Sequence, residues 1–308
     1  MKQFAIACVL MTAAVPAAAS QMIVEGHDHH GAQAAATQQA QPPSRPQAIT
    51  PPKEMDESLP PAQEFVAEAL ARSPRHSEWV DIKTVEGGPS VKSWVVYPES
   101  KDRTGVVIVI HENRGLNDWA RAVADQLAED GFIAIAPDML SGMGPNGGNT
   151  DSIPADQVTS FIGKLTNDEA NRRIDAVRAY ALQLPAANGS VGIVGFCWGG
   201  GRVFQYAIHQ PAINAAVVYY GPAPQDPALL DRIEAPMLGL FGEDDARVNT
   251  SVNAVLPILN KEEKRLDAHM FRGAGHGFLR QQFGRAANLE ASEDAWPLTI
   301  RFFAEHLK

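Results

Sequence analysis

The pattern of hydrophobic and polar positions predicts alternating strands and helices from residue 61 to the end of the chain. Short runs of mainly apolar residues indicate buried strands. They lie at 105–110, 132–136, 190–194, 215–219, 237–241 and 265–271. Nearly continuous apolar strands separated by helices are typical of an α/β fold, with a mostly parallel central sheet and helices on both faces.

Apolar residues at helical spacing predict the helices that join these strands. Helices are expected over 61–70, 116–129, 168–184, 199–209 and 292–306, with Ser292 as the N-cap of the last one. The segments 79–85 and 93–97 flank a Gly-Gly-Pro turn and predict a hairpin. The Gly-rich segment 141–157 is either a lid or binding loop, or a plain surface loop.

Residues 1–20 have the layout of a secretory signal peptide. Lys2 precedes an apolar run that ends in Ala17-Ala18-Ala19. The run is shorter than the roughly 20 residues that a membrane-spanning helix requires. We therefore expect cleavage near Ala19 or Ser20, and an exported protein, periplasmic or secreted, with no membrane attachment after cleavage.

Residues 21–60 are rich in Ala, Gln, Pro and His and contain few large apolar side chains. Such a composition cannot offset the entropy cost of ordering the chain. We expect a disordered linker here, followed by one domain over 61–308. The segment Gly26-His27-Asp28-His29-His30 within the linker is either a solvated His-rich stretch or a weak site for a divalent metal.

Composition and cysteine usage narrow the class of protein. The chain is 45% hydrophobic and 20% charged, which suits a soluble globular domain, and its formal charge of −10 disfavours nucleic acid and anionic membranes as partners. The oligomeric state, monomer or homodimer, stays open.

Because Cys8 leaves with the leader, Cys197 would be the single cysteine of the mature chain, with no internal disulfide. An unpaired thiol is either an inert buried group or a reactive one.

The residues around Cys197 favour the reactive alternative. A buried strand runs into Gly195-Phe196-Cys197-Trp198-Gly199, and a helix follows. This is the nucleophile-elbow pattern of α/β-hydrolases, with Cys in the usual place of Ser. The glycines allow a tight turn that lifts the nucleophile to the N-terminus of the helix, where a thiolate is favoured. The backbone N–H of Trp198 is a candidate for binding an oxyanion.

A base and an acid follow Cys197 in the chain order expected of such enzymes. Asp244 and Asp245 both lie just past the strand 237–241, so position alone leaves both open as the acid. His276 lies in a glycine-rich loop after the last strand, where its imidazole can reach the elbow. These residues predict a triad in which His276 moves the proton of the thiol and a carboxylate orients His276.

The motifs resemble those of the dienelactone hydrolase family, the carboxymethylenebutenolidases, from about residue 80 to the end. The cysteine elbow at 195–200, the acid loop at 242–248 and the histidine loop at 275–280 carry the resemblance. It implies the α/β-hydrolase fold and selects Asp245 rather than Asp244 as the triad acid.

A fourth motif, His111-Glu112-Asn113-Arg114-Gly115, also matches the family. The resemblance implies that Glu112 contacts and modulates Cys197, and that the N–H of Asn113 completes an oxyanion hole with that of Trp198. It further implies that Arg280 binds a carboxylate of the substrate. Residues 140–167 contain no arginine, so a second family arginine has no counterpart there.

Together these features predict a hydrolase that cleaves an ester or lactone bond of a small molecule through Cys197, His276 and Asp245. Neither a metal nor a cofactor is expected. Two alternatives keep the same fold. One is a thiol-based sensing or binding module, and the other is an acyltransferase or thiol peptidase that uses the same triad.

Overall fold

A mixed sheet of eight strands lies at the centre of the fold, in a computed structural model that describes residues 46–84, 87–261 and 266–308. The strands are β1 (Ser77–Ile82), β2 (Val91–Val96), β3 (Thr104–Ile110), β4 (Ile133–Pro137), β5 (Ala187–Phe196), β6 (Ala215–Tyr219), β7 (Met237–Gly242) and β8 (Leu266–Phe271). The helices are α1 (Val66–Arg72), α2 (Asp118–Glu129), α3 (Val158–Lys164), α4 (Asn167–Ala181), α5 (Trp198–His209), α6 (Ala246–Leu259) and α7 (Ala286–His306). Short 3₁₀ turns cover Pro145–Gly147, Thr150–Ser152, Pro227–Arg232 and Gln282–Gly284.

The strands are ordered β1-β2-β4-β3-β5-β6-β7-β8. The first two pairings, β1 with β2 and β2 with β4, are antiparallel, and all the others are parallel. This confirms the predicted mostly parallel sheet and the hairpin. The carboxyl ends of the parallel strands therefore meet at one edge, where the loops that follow β3, β5, β7 and β8 lie close together.

Helices cover both faces of the sheet, as predicted. On one face, α2 and α7 bury Trp119, Leu127, Trp296 and Phe303 against the strands. On the other face, α4, α5 and α6 contribute Ile174, Val203 and Val252 to a second core. Strand β4 has no exposed residue because both faces of the central strands are covered.

Several element boundaries differ from the sequence prediction. The last helix begins at Ala286 rather than at 292, and Ser292 is buried within it, so Ser292 is not its N-cap. Its hydroxyl instead donates to the carbonyl of Asn288, 2.8 Å away, as serines inside helices do. The first helix is shorter than predicted, beginning at Val66. Helices α3 and α6 were not predicted, and the polar residues and Pro257 of α6 interrupt its apolar pattern.

The packed part of the chain begins before the predicted boundary at residue 61. Leu59 is buried, and the N–H of Ile49 donates to the carbonyl of Phe283 at 3.0 Å. Ile49 and Leu59, which lie inside the predicted linker 21–60, therefore contact the folded domain, while residues 50–54 and 56–58 are exposed. The rest of that linker up to residue 45, with its His-rich stretch, and the leader 1–20 lie outside the described residues. Within the described ranges, no helix is both long enough and apolar enough to cross a membrane.

The segment 141–157 is ordered by one buried carboxylate. Asp138, at the end of β4, accepts hydrogen bonds from the N–H of Leu140 and from both the N–H and the hydroxyl of Thr150. The Arg173 guanidinium donates to the carbonyls of Met139 and Ser141 at 2.8 Å, and Arg173 is itself buried. Arg173 therefore stabilises the start of the segment 141–157 through these two carbonyls.

Replacing Asp138 should loosen this loop. In Asp138→Ala, the buried amides of Leu140 and Thr150 lose their acceptor, which costs about 1–3 kcal/mol of the free energy of unfolding. Urea denaturation measures that loss. Asp151→Asn, an exposed change in the same loop, is the control and should stay within about 0.5 kcal/mol of wild type. Equal stability of the two variants would show that Asp138 does not anchor the loop.

Candidate active site

Cys197 occupies a strained turn between β5 and α5. Its φ of 56° lies in the left-handed region that residues with a side chain rarely adopt. A Cβ on Gly195 would come within 2.3 Å of the Gly199 carbonyl oxygen, and one on Gly199 within 2.4 Å of the Ile110 carbonyl oxygen. The two glycines therefore let the turn pack directly on the end of β3. The thiol stays partly accessible at the carboxyl edge of the sheet.

Asp245 and His276 meet at the same edge, after β7 and β8. The Nδ1 atom of His276 lies 2.5 Å from Oδ2 of Asp245, while Oδ1 of Asp245 caps α6 by accepting from the N–H of Val248. Asp244, the rival acid, instead pairs with Arg285 at 2.6 Å and is half exposed. The structure thus brings Asp245, and not Asp244, to His276. With Nδ1 engaged by the carboxylate, Nε2 is the nitrogen left for the thiol.

Two amide side chains, one buried and one half-buried, hold the histidine and acid loops in place. Asn288 accepts from the N–H of Gly275 at 2.9 Å and donates to the carbonyl of Gln281 at 2.8 Å. On the acid side, Asn249 donates to the carbonyl of Gly242 at 2.9 Å. Because each loop is tied to a helix, the hydrogen bond between Asp245 and His276 is preorganised.

Opposing effects set the pKa of His276. Burial lowers it, but hydrogen bonds to Asp245 and Cys197 and the negative charges of both groups raise it to about 9. At neutral pH the resting imidazole therefore favours its protonated form. An imidazolium beside a thiol favours the thiolate, which is the nucleophilic form of cysteine.

The loop after β3 carries Glu112 and Asn113 to the other side of Cys197. The carbonyl of Glu112 lies 2.7 Å from Nδ1 of His111, and Nε2 of His111 accepts from the N–H of Met139 at 3.2 Å. Burial lowers the pKa of His111, so its imidazole is neutral and Nδ1–H donates to that carbonyl. Sequence reasoning quoted His111 within a motif but gave it no role.

The ring of His111 also stacks on the indole of Trp198, with 5.5 Å between the ring centroids. His111 therefore links the Asn113 loop to the first residue of α5. The first amides of a helix have no acceptor within it, so the N–H of Trp198 is available to a ligand. The carbonyl of Asn113 accepts from the hydroxyl of Thr159 at 3.2 Å, which restrains this loop from the outside.

Glu112 is buried and bonds to Arg280 rather than to Cys197. Its Oε2 atom accepts from Nε of Arg280 at 2.8 Å. The resemblance had implied a contact of Glu112 with the cysteine and a role for Arg280 in binding a substrate carboxylate. The two predicted residues are instead partners of each other, because a buried carboxylate is costly without a cation.

Tyr220, which the sequence analysis did not identify, lies between these groups. Its backbone φ is 37°, its ring is buried 5.2 Å from that of His276, and its hydroxyl has no hydrogen-bond partner among the described residues. Burial, with the negative charges of Glu112 and Cys197, raises the pKa of Tyr220 well above its usual value, so the hydroxyl keeps its proton. Its position just after β6, at the carboxyl edge, was the signal available in the sequence.

A cleft of about 690 Å³ is lined in part by Arg280, while Cys197, Asp245 and His276 are not among the residues that line it. Its walls also include Arg114, Trp79 and Gln63, and Gln63 lies just before the first helix, α1. In the part of the chain that is described, no group of three or more His, Cys, Asp or Glu side chains could hold a metal ion. The site therefore offers a thiol, an imidazole, two carboxylates and guanidinium groups for chemistry.

Comparison with known proteins places the chain in one family. The sequence profile described as "Dienelactone hydrolase family" matches residues 91–307. A Saccharolobus solfataricus protein with the provisional name carboxymethylenebutenolidase is 30% identical over 239 residues, covering 68% of this chain and 91% of that protein. A Salmonella typhimurium protein of the same provisional name is 27% identical over 259 residues, covering 80% and 94%.

A solved structure agrees with the sequence comparisons. The crystal structure of a dienelactone hydrolase-like promiscuous phosphotriesterase from metagenomic libraries has a TM-score of 0.61 and 25% sequence identity. The alignment covers 76% of this chain and 99% of that one. The likeness extends over nearly the whole of that protein, so the shared fold includes the sheet and the helices on both faces.

The raised pKa of His276 predicts a pH-dependent contribution to stability. Because the folded-state value of about 9 exceeds the ordinary 6.5, the contribution is complete below pH 6.5 and is lost as the pH rises through 9. The difference in free energy of unfolding between wild type and His276→Gln should therefore be larger at pH 6 than at pH 10. Urea denaturation at both values measures it.

The matched control is His306→Gln, a histidine of α7 that contacts Phe302 rather than a carboxylate. Its difference from wild type should change less between the two pH values. A His276 difference that stays constant, or grows with pH, would contradict the hydrogen bond to Asp245 as the source of the shift.

Proposed function

The chain belongs to the dienelactone hydrolase family of ester and lactone hydrolases, and on that basis we propose that Cys197, His276 and Asp245 act together as its catalytic triad. The observation that carries the proposal is the 2.5 Å contact between His276 and Asp245, beside a thiol held at a strained strand-to-helix turn. A nucleophile, a base and an orienting acid in contact are the combination that acyl transfer requires.

In the first step, the sulfur of Cys197 attacks the carbonyl carbon of the ester or lactone. The thiol proton has passed to His276, and the carbonyl oxygen becomes an oxyanion. The N–H groups of Trp198 and Asn113 would stabilise this charge. When the tetrahedral intermediate collapses, the C–O bond breaks and His276 gives its proton to the departing alkoxide. A thioester of Cys197 remains, and in a lactone the alcohol stays attached to the acyl group.

In the second step, water attacks the thioester carbonyl while His276 accepts a proton from it. Collapse of this second intermediate releases the carboxylic acid and returns the thiolate to Cys197. Asp245 keeps Nδ1–H of the imidazole in place throughout and stabilises the imidazolium. No other reactant is needed, so the net reaction is the addition of water across one C–O bond.

Glu112 and Arg280 would couple substrate binding to the state of Cys197. A carboxylate next to a thiol disfavours the thiolate, and the ion pair with Arg280 offsets that charge. A substrate carboxylate that binds Arg280 competes with Glu112 for the guanidinium. The resemblance implies that the released Glu112 then helps to remove the thiol proton, which ends on His276. The pairing seen between Glu112 and Arg280 supports this role for a substrate that carries a negative charge.

The triad predicts a sharp contrast between neighbouring carboxylates. Cys197→Ala should lower kcat/KM on p-nitrophenyl acetate and on a small lactone by about 10³-fold or more, and Asp245→Asn should lower it by about 10²-fold or more. Asp244→Asn, the matched control, should stay within about twofold, because Asp244 pairs with Arg285 on the surface. Release of p-nitrophenol and of acid from the lactone gives the rates.

Other outcomes would change the assignment. Wild-type turnover that survives in Cys197→Ala would mean that another group is the nucleophile. A loss of kcat/KM in Asp244→Asn but not in Asp245→Asn would make Asp244, and not Asp245, the acid of the triad. A thioester that forms on Cys197 but passes to an added amine or alcohol faster than to water would indicate an acyltransferase. The acyl group bound to Cys197 would be detected as an added mass in mass spectrometry of the intact protein.

We further propose that residues 1–20 direct export and are removed near Ala19. Expressed with its leader in a bacterium that has two membranes, the protein should occur in the periplasm or medium. Its mass should lack about the first twenty residues. Ala19→Gln, at the cleavage site, should leave the precursor uncut, whereas Ala18→Gln should be processed normally. A full-length mass in the cytoplasm would contradict export.

A further inference from the structure

Arg280 is held at two points by a residue far away in sequence. The N–H of Gln63 donates to the carbonyl of Arg280 at 3.0 Å, and Nη1 of Arg280 donates to Oε1 of Gln63 at 2.6 Å. The same guanidinium donates through Nε to Glu112. Gln63 and Glu112 therefore fix the plane and the direction of the guanidinium between them.

Gln63 belongs to an N-terminal segment, residues 46–65, that lies outside the range matched by the family profile. The segment is anchored by two residues that lie just before Gln63 in the chain. The carbonyl of Pro60 accepts from Nε2 of Gln282 at 2.8 Å, and the carbonyl of Pro61 accepts from the indole N–H of Trp119 at 3.1 Å. Since Gln282 is two residues from Arg280, the segment is docked on the turn that carries this arginine.

The held guanidinium faces the 690 Å³ cleft, which Gln63 itself helps to line. Of the other charges there, Arg121 is offset by its ion pair with Asp118, and Asp151 is an exposed carboxylate at the same wall. Arg114 is exposed and forms no ion pair within the described ranges. The cleft thus presents the guanidinium groups of Arg280 and Arg114 to a ligand, and a planar carboxylate is the group that such cations bind best.

We propose that Gln63 is a positioning residue that makes the N-terminal segment part of the substrate site. It holds the guanidinium of Arg280 at the cleft wall, where the guanidinium receives the negatively charged group of a carboxylate-bearing ester or lactone. As an amide, Gln63 supports the arginine without neutralising it, whereas a carboxylate at this place would compete with the substrate. The identity of the substrate in this inference rests on the proposed hydrolase function. The hydrogen bonds between Gln63 and Arg280 do not depend on that function.

The test compares a charged and a neutral substrate of equal reactivity, such as p-nitrophenyl hemisuccinate and p-nitrophenyl butyrate. In Gln63→Ala, KM for the charged ester should rise about threefold to tenfold, because the cation is no longer preorganised. For the neutral ester, kcat and KM should stay within twofold of wild type. Gln63→Glu keeps an acceptor but adds a charge, so it should raise KM for the charged ester at least as much.

A second readout does not require turnover. Iodoacetate and iodoacetamide alkylate the same thiol, Cys197, and differ in carrying or lacking a carboxylate. The ratio of their rate constants should fall about threefold or more in Gln63→Ala, and mass spectrometry confirms the modified residue. Glu64→Gln is the matched control, since Glu64 contacts Gln63 but not Arg280. It should leave both the alkylation ratio and the KM ratio within twofold.

The outcomes separate this inference from the proposed function. If wild type hydrolyses both esters but the charged-to-neutral ratio is unchanged in Gln63→Ala, the inference fails and the function stands. Equal losses on both substrates would make Gln63 merely structural and would also overturn it. If wild type hydrolyses neither ester, the proposed function fails for these substrates, and the alkylation ratio alone decides for or against the role of Gln63.

Discussion

The turn at Cys197 packs backbone directly against backbone, and the positions of the other site residues follow from that contact. Because Gly199 lies on the carbonyl of Ile110, α5 begins immediately beside the end of β3. The loop that leaves β3 must therefore pass next to Trp198, and it brings His111 and Glu112 with it. A strained φ at Cys197 persists only where surrounding structure holds it, and here two neighbouring strands and a helix do so.

Two ion pairs, Asp245 with His276 and Glu112 with Arg280, lie at the carboxyl edge of the sheet, where Cys197 also lies. The pair formed by Asp245 and His276 places a positive charge and a proton donor beside the sulfur. The pair formed by Glu112 and Arg280 brings a carboxylate whose charge is largely offset by its partner. In a partly buried site each carboxylate needs its cation, since an unpaired charge would cost more than the pair gains. In the function we propose, a substrate carboxylate at Arg280 would therefore change the electrostatics at the sulfur.

The features that the sequence predicted are those governed by local pattern. The buried strands follow from apolar runs. The elbow at Cys197 follows from Gly195 and Gly199, because glycines at these two positions are typical of a tight strand-to-helix turn. The choice between Asp244 and Asp245 could not be made from position. It depends on which carboxylate faces the histidine loop once α6 has formed, and the polar sequence of that helix conceals it. Likewise, Ser292 looked like a cap because the six helical residues before it carry no strong apolar periodicity.

Side-chain contacts between residues far apart in the sequence could not be predicted from the periodicity of apolar positions. Glu112 and Arg280 are 168 residues apart, and Gln63 is 217 residues from Arg280. No local signal links them. The chemical machinery comes from loops at the carboxyl edge of the sheet, within the range shared with the family. The N-terminal segment docks on the turn that carries Arg280 and makes no described contact with Cys197. Under the proposed role of Gln63, variation in that segment would alter the binding of charged substrates and leave Cys197, His276 and Asp245 as they are.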